Sequence, residues 1–336
     1  MVNIVQFGVG NVGNELVNQV GELNSAEIRY VSIGNSKISK IDIRGLDLGG
    51  GDFQNLAAPG TTADWSKVFD KVGDLDNVVM VDVTAQDWIE PHLEALSRGW
   101  KIVLANKKPL VKEWSVSKVL FNNNDVRFEA TVGAGLPIIQ TLKGIIESGD
   151  EVKEINGAFS GTLGYITTEL HEGKSFSEAL ASAIKKGYTE PNPLDDLDGM
   201  DVARKALILS RLIGREENME DLKVNGLVNR RKYENLETRE FIKISKDLDG
   251  EFKVKVKDVE DSNKVLKFVA HIGKKTLINL SSIEAKSSLG QLKGVNNLAE
   301  ITTSHYSDDP LVISGPGAGK EVTANGVLRD ILSFVQ

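Results

Sequence analysis

The segment Gly187 to Lys205, GYTEPNPLDDLDGMDVARK, packs five carboxylates, an arginine and a lysine between turn-forming residues. Pro191 and Pro193 are expected to hold the backbone extended and to exclude helix, whereas Met200 to Ile213 shows the apolar spacing of a buried helix. On that helix Asp201 and Lys205 stand four residues apart and share a face. A carboxylate so placed fixes both the position and the protonation state of an ammonium group, and such a pair can donate a proton to a substrate. The cluster Asp195, Asp196, Asp198, Gly199 also suggests a calcium loop. Leu194 occupies a ligand position there and no acid follows at the required distance, so that chemistry is excluded.

Other chemistries narrow quickly. The chain has no cysteine, which removes disulfides, thiolate metal sites and any thioester intermediate. His92, His171, His271 and His305 lie outside the motifs and read as surface or packing residues rather than bases. Val126 to Val132 reads as a strand broken by Gly133-Ala134-Gly135-Leu136-Pro137. In extended chain the carbonyls of Val132, Ala134 and Leu136 would converge on one point, with Glu129 adding a carboxylate oxygen. Oxygen ligands with one formal charge suit a monovalent cation. A glycine-rich interdomain joint with Glu129 in a salt bridge is the alternative.

These groups need a scaffold, and the N-terminus supplies one. Val2 to Phe7 is an apolar strand. The turn Gly8-Val9-Gly10-Asn11-Val12-Gly13 opens a helix to about Leu23, and Ile28 to Ile33 is the next strand. Glycines there let the backbone approach a pyrophosphate, which the helix N-terminus favours. Such a turn can also be a plain tight turn. After the second strand, Ser32-Ile33-Gly34-Asn35-Ser36-Lys37 lacks the usual ribose-binding acid. Small polar residues with Lys37 or Lys40 admit a 2′-phosphate, so the cofactor expected is NADP or NAD, with NADP favoured. Asn77 to Val83 and Lys101 to Leu104 read as buried parallel strands flanking the helical segment Ile89 to Arg98. Thr84, Ala85 and Ala105-Asn106-Lys107-Lys108-Pro109 follow them at the carboxyl edge, and Lys107 is a candidate to reach cofactor or substrate.

The middle of the chain forms a second layer. Val152 to Ser160, Phe252 to Val259, Val265 to Ile272 and Thr276 to Ile283 read as strands. Ile138 to Glu147 and Phe176 to Lys186 join Met200 to Ile213 as helices, and the charged stretch Arg215 to Asp249 belongs at the periphery. The expected fold is α/β, a Rossmann-type doubly wound parallel sheet plus an α+β catalytic and dimerisation domain. Its expected divisions are 1–137, 138–313 and a return segment 314–336. Substrate is expected between the two domains, with closure excluding water. With 336 residues, 48 acidic against 40 basic and no basic block, nothing invites nucleic acid or an anionic membrane. No leader and no long apolar run is evident, so a soluble cytoplasmic protein acting on a small molecule is expected.

Taken together, Glu129 to Pro137, Phe159-Ser160-Gly161-Thr162-Leu163 with Tyr165-Ile166, and Tyr188 to Lys205 resemble homoserine dehydrogenase in order and spacing over nearly the whole chain. Gly315-Pro316-Gly317-Ala318-Gly319 before Val322-Thr323-Ala324 resembles that family's glycine turn and closing helix. The resemblance implies roles residue by residue. Lys205 would be the proton donor, Asp201 its carboxylate, and Lys107 the lysine beside cofactor and substrate. Glu190, Thr162 and Asp196 would serve the substrate, with Asp196 the least defined. Gly8, Gly10, Asn11, Val12, Gly13, Thr84, Ala105, Lys107 and Gly319 would serve the cofactor, and the oxygens of Glu129, Val132, Ala134 and Leu136 a sodium ion. The resemblance also implies a homodimer and reversible reduction of L-aspartate 4-semialdehyde to L-homoserine, on the route to threonine, methionine and isoleucine.

Such a reduction needs a hydride for C4 and a proton for the nascent alkoxide, which a lysine supplies. Gly164 departs from the family's Asn or Ser. The chain ends after Val327 to Val335, so control through a C-terminal regulatory module or fused kinase is not expected. Aspartate-semialdehyde dehydrogenase is disfavoured by the missing cysteine. A sugar-type oxidoreductase sharing Lys108-Pro109, or a catalytically silent NAD(P)-binding sensor, stays open.

Overall fold

An apolar run such as VNIVQF needs cover on both faces, and β1 (Val2–Phe7) is buried at all six positions. The computed structural model describes residues 1–35, 39–48 and 65–335; Ser36 and Lys37 lie outside them. The chain forms two compact units, Met1–Gly135 with Gly319–Gln336, and Leu136–Ala318. In the first unit β1 is followed by α1 (Asn11–Leu23), β2 (Ile28–Gly34), β3 (Ser39–Ile41), α2 (Trp65–Val72), β4 (Val78–Asp82), α3 (Glu90–Ser97), β5 (Lys101–Leu104), α4 (Trp114–Phe121) and β6 (Val126–Arg127). The sheet order is β3-β2-β1-β4-β5-β6, with only β3 antiparallel to its neighbour. Chain order reverses between β1 and β4, which is where open α/β sheets take ligands at their carboxyl ends.

The second unit holds α5 (Ile138–Glu147), β7 (Val152–Ala158), α6 (Gly161–His171), α7 (Phe176–Lys185), α8 (Leu194–Leu197), α9 (Met200–Leu212) and β8 (Lys223–Val224). It continues through α10 (Thr238–Ile244), α11 (Asp249–Glu260), β9 (Lys264–Ile272), β10 (Thr276–Glu284), α12 (Ser288–Gln291), β11 (Asn296–Thr303) and β12 (Leu311–Pro316). Its sheet runs β12-β11-β7-β9-β10-β8, antiparallel throughout except for the short β10–β8 pair. The final helix, α13 (Lys320–Leu332), belongs to the first unit. There its Val327, Leu328 and Ile331 share a buried cluster with Leu16, Val17 and Val20 of α1. No helix of the described residues is long and apolar enough to cross a membrane.

Three local expectations are corrected. Phe252 to Val259 is not a strand but lies in α11. Its period-two alternation of apolar residues and lysines misleads, because only Phe252 is buried while Val254 is 59% exposed. Lys255 pairs with Glu251 one turn back at 2.6 Å, and Phe252 stacks on Phe176 of α7 with ring centroids 4.4 Å apart. One buried ring seats this helix.

Val126 to Val132 is a strand only at Val126–Arg127. Glu129–Thr131 winds into a 3-10 turn closed by the Thr131 hydroxyl donating to the Phe128 carbonyl at 2.7 Å, while the Asp330 carboxylate accepts from the Glu129 amide at 2.8 Å. Pro193 is not extended. It has helical angles (φ −58, ψ −22) and leads α8, where a residue without an amide hydrogen costs nothing, and Asn192 accepts from the Leu194 amide at 3.1 Å.

Replacing Phe252 by Ala removes the ring that anchors α11 and should lower unfolding free energy by about 3 kcal/mol. Val254→Ala, exposed on the same helix, should stay within about 0.5 kcal/mol of the parent in urea unfolding.

Candidate active site

Helix α9 starts at Gly199, whose left-handed backbone (φ 74) no branched residue would tolerate, with the Asp198 carboxylate accepting from the Met200 amide at 2.8 Å. The next residues bury one face of the helix, Val202, Ala203, Ala206 and Leu207, and this rotation brings Asp201 and Lys205 onto the adjacent face. The Lys205 ammonium forms an ion pair with Asp201 Oδ2 at 2.8 Å and donates to the Phe159 carbonyl, just past the end of β7, at 2.7 Å; its side chain is 12% exposed. The Phe159 carbonyl takes one of its three hydrogens and the Asp201 carboxylate holds its charge, so among the described residues the ammonium keeps hydrogen-bonding capacity for a ligand. A group held this way can deliver or take up a proton along one direction.

A second strand of hydrogen bonds lies beside it. Ser160 caps α6 by accepting from the Leu163 amide, and Thr162 is in the helix's first turn. The Thr162 hydroxyl lies 2.5 Å from the Tyr188 carbonyl and 3.0 Å from Asp196 Oδ1, and Asp196 Oδ2 accepts from the Glu190 amide at 2.8 Å. The structure therefore links Thr162, Asp196 and Glu190, with the Glu190 side chain exposed. Asp195 and Asp198 face away from this chemistry, both paired with Arg230 at 2.6 and 2.8 Å. Gly164 has its own cause: a Cβ there would stand 2.9 Å from the Gly294 carbonyl, so the Asn or Ser expected from the resemblance would collide with that loop.

In the first unit the glycine turn meets its expected geometry. Gly8 is left-handed (φ 108), and a Cβ there would press on Val83 and Thr84 at about 3 Å. At Gly13 a Cβ would sit 2.3 Å from the Gly8 carbonyl. Among the described residues nothing lies within 4 Å of a Cβ on Gly10, which leaves the turn open at that point. Helix α1 begins at Asn11 and Val12 with neither a side-chain cap nor an acid in its first turn, which suits a pyrophosphate. Gly319 precedes α13, whose Lys320 pairs with Glu15 of α1 at 3.1 Å. Ala105 and Asn106 both donate their amides to the Asp82 carbonyl, and Lys107, half-buried, follows in the same turn.

The sequence reading missed two residues that organise these loops. Gln6, buried in β1, donates to the carbonyls of Gly8 (2.8 Å) and Gly13 (3.1 Å) and accepts from the Tyr30 hydroxyl at 2.7 Å, tying both ends of the glycine turn. Asp82, fully buried at the end of β4, gathers Thr84, Trp88, His92 and Asn106. In both cases the signal was a polar residue inside an apolar run.

The proposed cation ligands are placed differently from expectation. Gly133 and Ala134 are left-handed (φ 76 and 55) rather than extended, and the Leu136 carbonyl accepts from the Ile138 amide at 2.8 Å. The Ala134 carbonyl packs 3.1 Å from where a Cβ on Gly326 would stand. Alternation along a strand therefore does not bring these oxygens together. Glu129 is buried at 2% exposure. Among the described residues no group of three His, Cys, Asp or Glu could hold a metal ion.

The family profile described as homoserine dehydrogenase matches residues 137–332, and its NAD-binding domain profile matches residues 8–127. A homoserine dehydrogenase of Saccharomyces cerevisiae is 35% identical over all of this chain and 98% of its own length. The chain belongs to the homoserine dehydrogenase family. That family consists of NAD(P)-dependent oxidoreductases. The chain is also 35% identical to the bifunctional aspartokinase/homoserine dehydrogenase of Haemophilus influenzae, matching 100% of itself and 43% of that protein. It thus spans about two fifths of the length of such bifunctional relatives. Among solved structures, a Candida auris protein of unknown function has a TM-score of 0.91 at 30% identity, covering 99% of this chain and 98% of its own. A hyperthermophilic archaeal homoserine dehydrogenase in complex with NADPH has a TM-score of 0.73 at 26% identity, covering 99% and 97%.

Within this homoserine dehydrogenase fold Asp196 carries a titration signature. Burial pushes its carboxyl above the ordinary value of 3.8, against the hydrogen bonds from Glu190 and Thr162, and the charges of Glu190 and Asp201 add to the rise. A protonated Asp196 can donate to Thr162 while Thr162 donates to Tyr188. Between the ordinary and the raised value the native chain keeps a proton that the unfolded chain has lost, so stability falls as pH rises through that window and stays reduced above it. Asp196→Asn, which keeps the same donor and acceptor pattern without the charge, should therefore be more stable than the parent at neutral pH. The gap should close in acid, as followed by urea unfolding across pH.

Proposed function

We propose that this chain catalyses the reversible NAD(P)-dependent interconversion of L-homoserine and L-aspartate 4-semialdehyde, as the names of its relatives imply. The observation that carries the reading is the Lys205 ammonium, fixed between Asp201 and the Phe159 carbonyl with a hydrogen left for a ligand. In this reading Lys205 gives that hydrogen to the alkoxide formed at C4 and recovers it in the reverse direction. Asp201 keeps the group oriented. The Glu190 carboxylate, exposed beside Asp196, would take the ammonium of the amino-acid substrate, with Thr162 nearby as a hydroxyl partner.

The cofactor's own chemistry is hydride exchange. The open glycine turn and the uncapped start of α1 would hold its pyrophosphate, with Thr84, Ala105 and Lys107 at the neighbouring strand ends. NADP is favoured because the segment after β2 lacks a ribose-binding acid at the described positions, and because the archaeal relative was solved with NADPH. A sodium ion at Glu129, Val132, Ala134 and Leu136, and assembly as a homodimer, follow from the family resemblance. The buried Glu129 carboxylate favours the ion, and no step in the reaction uses it.

Oxidation of homoserine releases a proton with the hydride, so it should accelerate from mildly acidic to alkaline pH. Steady-state oxidation of L-homoserine with NADP and NAD side by side should show turnover with a preference for NADP. Tight NADPH binding without turnover of homoserine or aspartate semialdehyde would identify a sensor instead, and a rate indifferent to pH would contradict the proton-transfer role.

A further inference from the structure

Asp82 ends β4 at the carboxyl edge of the first sheet, and its side chain is wholly buried. Oδ1 accepts from the Thr84 amide at 2.9 Å. Oδ2 accepts from Trp88 Nε1 at 3.2 Å and Asn106 Nδ2 at 3.0 Å, and it lies 3.0 Å from His92 Nε2. Among the described residues no lysine or arginine pairs with it. His92 Nδ1 has no hydrogen-bond partner among the described residues. Burial alone would raise this carboxyl's pKa, but the hydrogen bond and charge of His92 and the bonds from Thr84 outweigh it and hold the group below its ordinary range. The result is an ionised carboxylate kept dry by the side chains and the amide that surround it.

Three of those four donors come from the segment after β4, and the fourth comes from the loop after β5. Asn106 extends the same network to the Gln86 carbonyl at 2.9 Å and to the Lys108 amide at 3.1 Å. Trp88 is held further by an edge contact with Trp65 and by Phe7, the last residue of β1. Hydrogen bonds to an ionised acceptor are about twice as strong as neutral ones and sharply directional. For packing alone an apolar residue would serve this site without desolvating a charge. In a doubly wound sheet each half takes one nucleotide of the cofactor, and the β4–β6 half is the one opposite the glycine turn.

We propose that Asp82 is a positioning residue for the nicotinamide half of the cofactor, locking the Thr84–Trp88 and Ala105–Lys108 loops in their binding conformation before the cofactor arrives. This rests on the reading of the first unit as an NAD(P) site. The adenosine half, served by the glycine turn and its Gln6 tie, should not depend on it.

Calorimetric titration of the full chain with NADPH and with 2′,5′-ADP, which has only the adenosine half, separates the two, with NADH and ADP run in parallel. Asp82→Asn keeps the shape and removes the charge. It should weaken NADPH binding tenfold or more while 2′,5′-ADP affinity stays within twofold of the parent. Trp88→Phe, which withdraws one donor and leaves the carboxylate, should show the same split with a two- to fivefold loss for NADPH, and it covers the case in which Asp82→Asn does not fold. Equal losses for both molecules would mean a general structural role, and unchanged NADPH binding would mean no role; either overturns the inference. A parent chain that binds no dinucleotide overturns the site reading itself, and the inference with it.

Discussion

The candidate site of the second unit depends on one ammonium group being held still. Lys205 is at once a neighbour of Asp201 on the same helix and of a carbonyl at the end of a strand. An (i, i+4) ion pair on a helix stabilises it by only about 0.2–0.5 kcal/mol. The pair therefore matters little for folding, and its effect lies in orientation. That orientation requires α9 to sit at one rotation and one depth. Both follow from the left-handed start at Gly199 and from a buried face of alanines and branched aliphatics. The strand end is fixed in turn by Phe159, fully buried, immediately before the Ser160 cap of α6.

The first unit solves a related problem with neutral and anionic side chains in place of a cation. Glycine turns are permissive by nature, and the loops after parallel strands have few contacts of their own. Gln6 fastens the first from inside β1, and Asp82 fastens the others from the end of β4. Each replaces an apolar residue that the strand could have carried. Burying such groups costs free energy unless every polar atom is paired. Both are paired through short bonds to the backbone or side chains of the loops they organise.

Much of this was legible in the residues. The parallel strands, the glycine turn and the helix at Met200 announce themselves because runs covered on both faces read as continuous apolar stretches and helices as 3.6-residue periods. The Asp201–Lys205 pair was readable from spacing alone. Glu190, Thr162 and Asp196 were given substrate roles only through resemblance, because what joins them is a chain of hydrogen bonds across distant sequence. Period-two alternation failed at Phe252, where lysines alternate with valines on an exposed helix whose position is decided by one stacked ring. It failed again after Arg127, where bonds from Asp330 and Thr131 bend a strand-like sequence into a turn. Gln6 and Asp82 stayed hidden because a single polar residue inside an apolar run says that it is buried, not what it holds.

The proposed function rests most heavily on Lys205 as the group that moves the proton. The direct measurement is turnover of L-homoserine by Lys205→Ala alongside its affinity for NADPH. The expected result is loss of nearly all turnover, a hundredfold or more on the scale of general acid–base catalysis, with the dissociation constant for NADPH unchanged. Turnover close to that of the parent, or a parallel loss of cofactor binding, would contradict it.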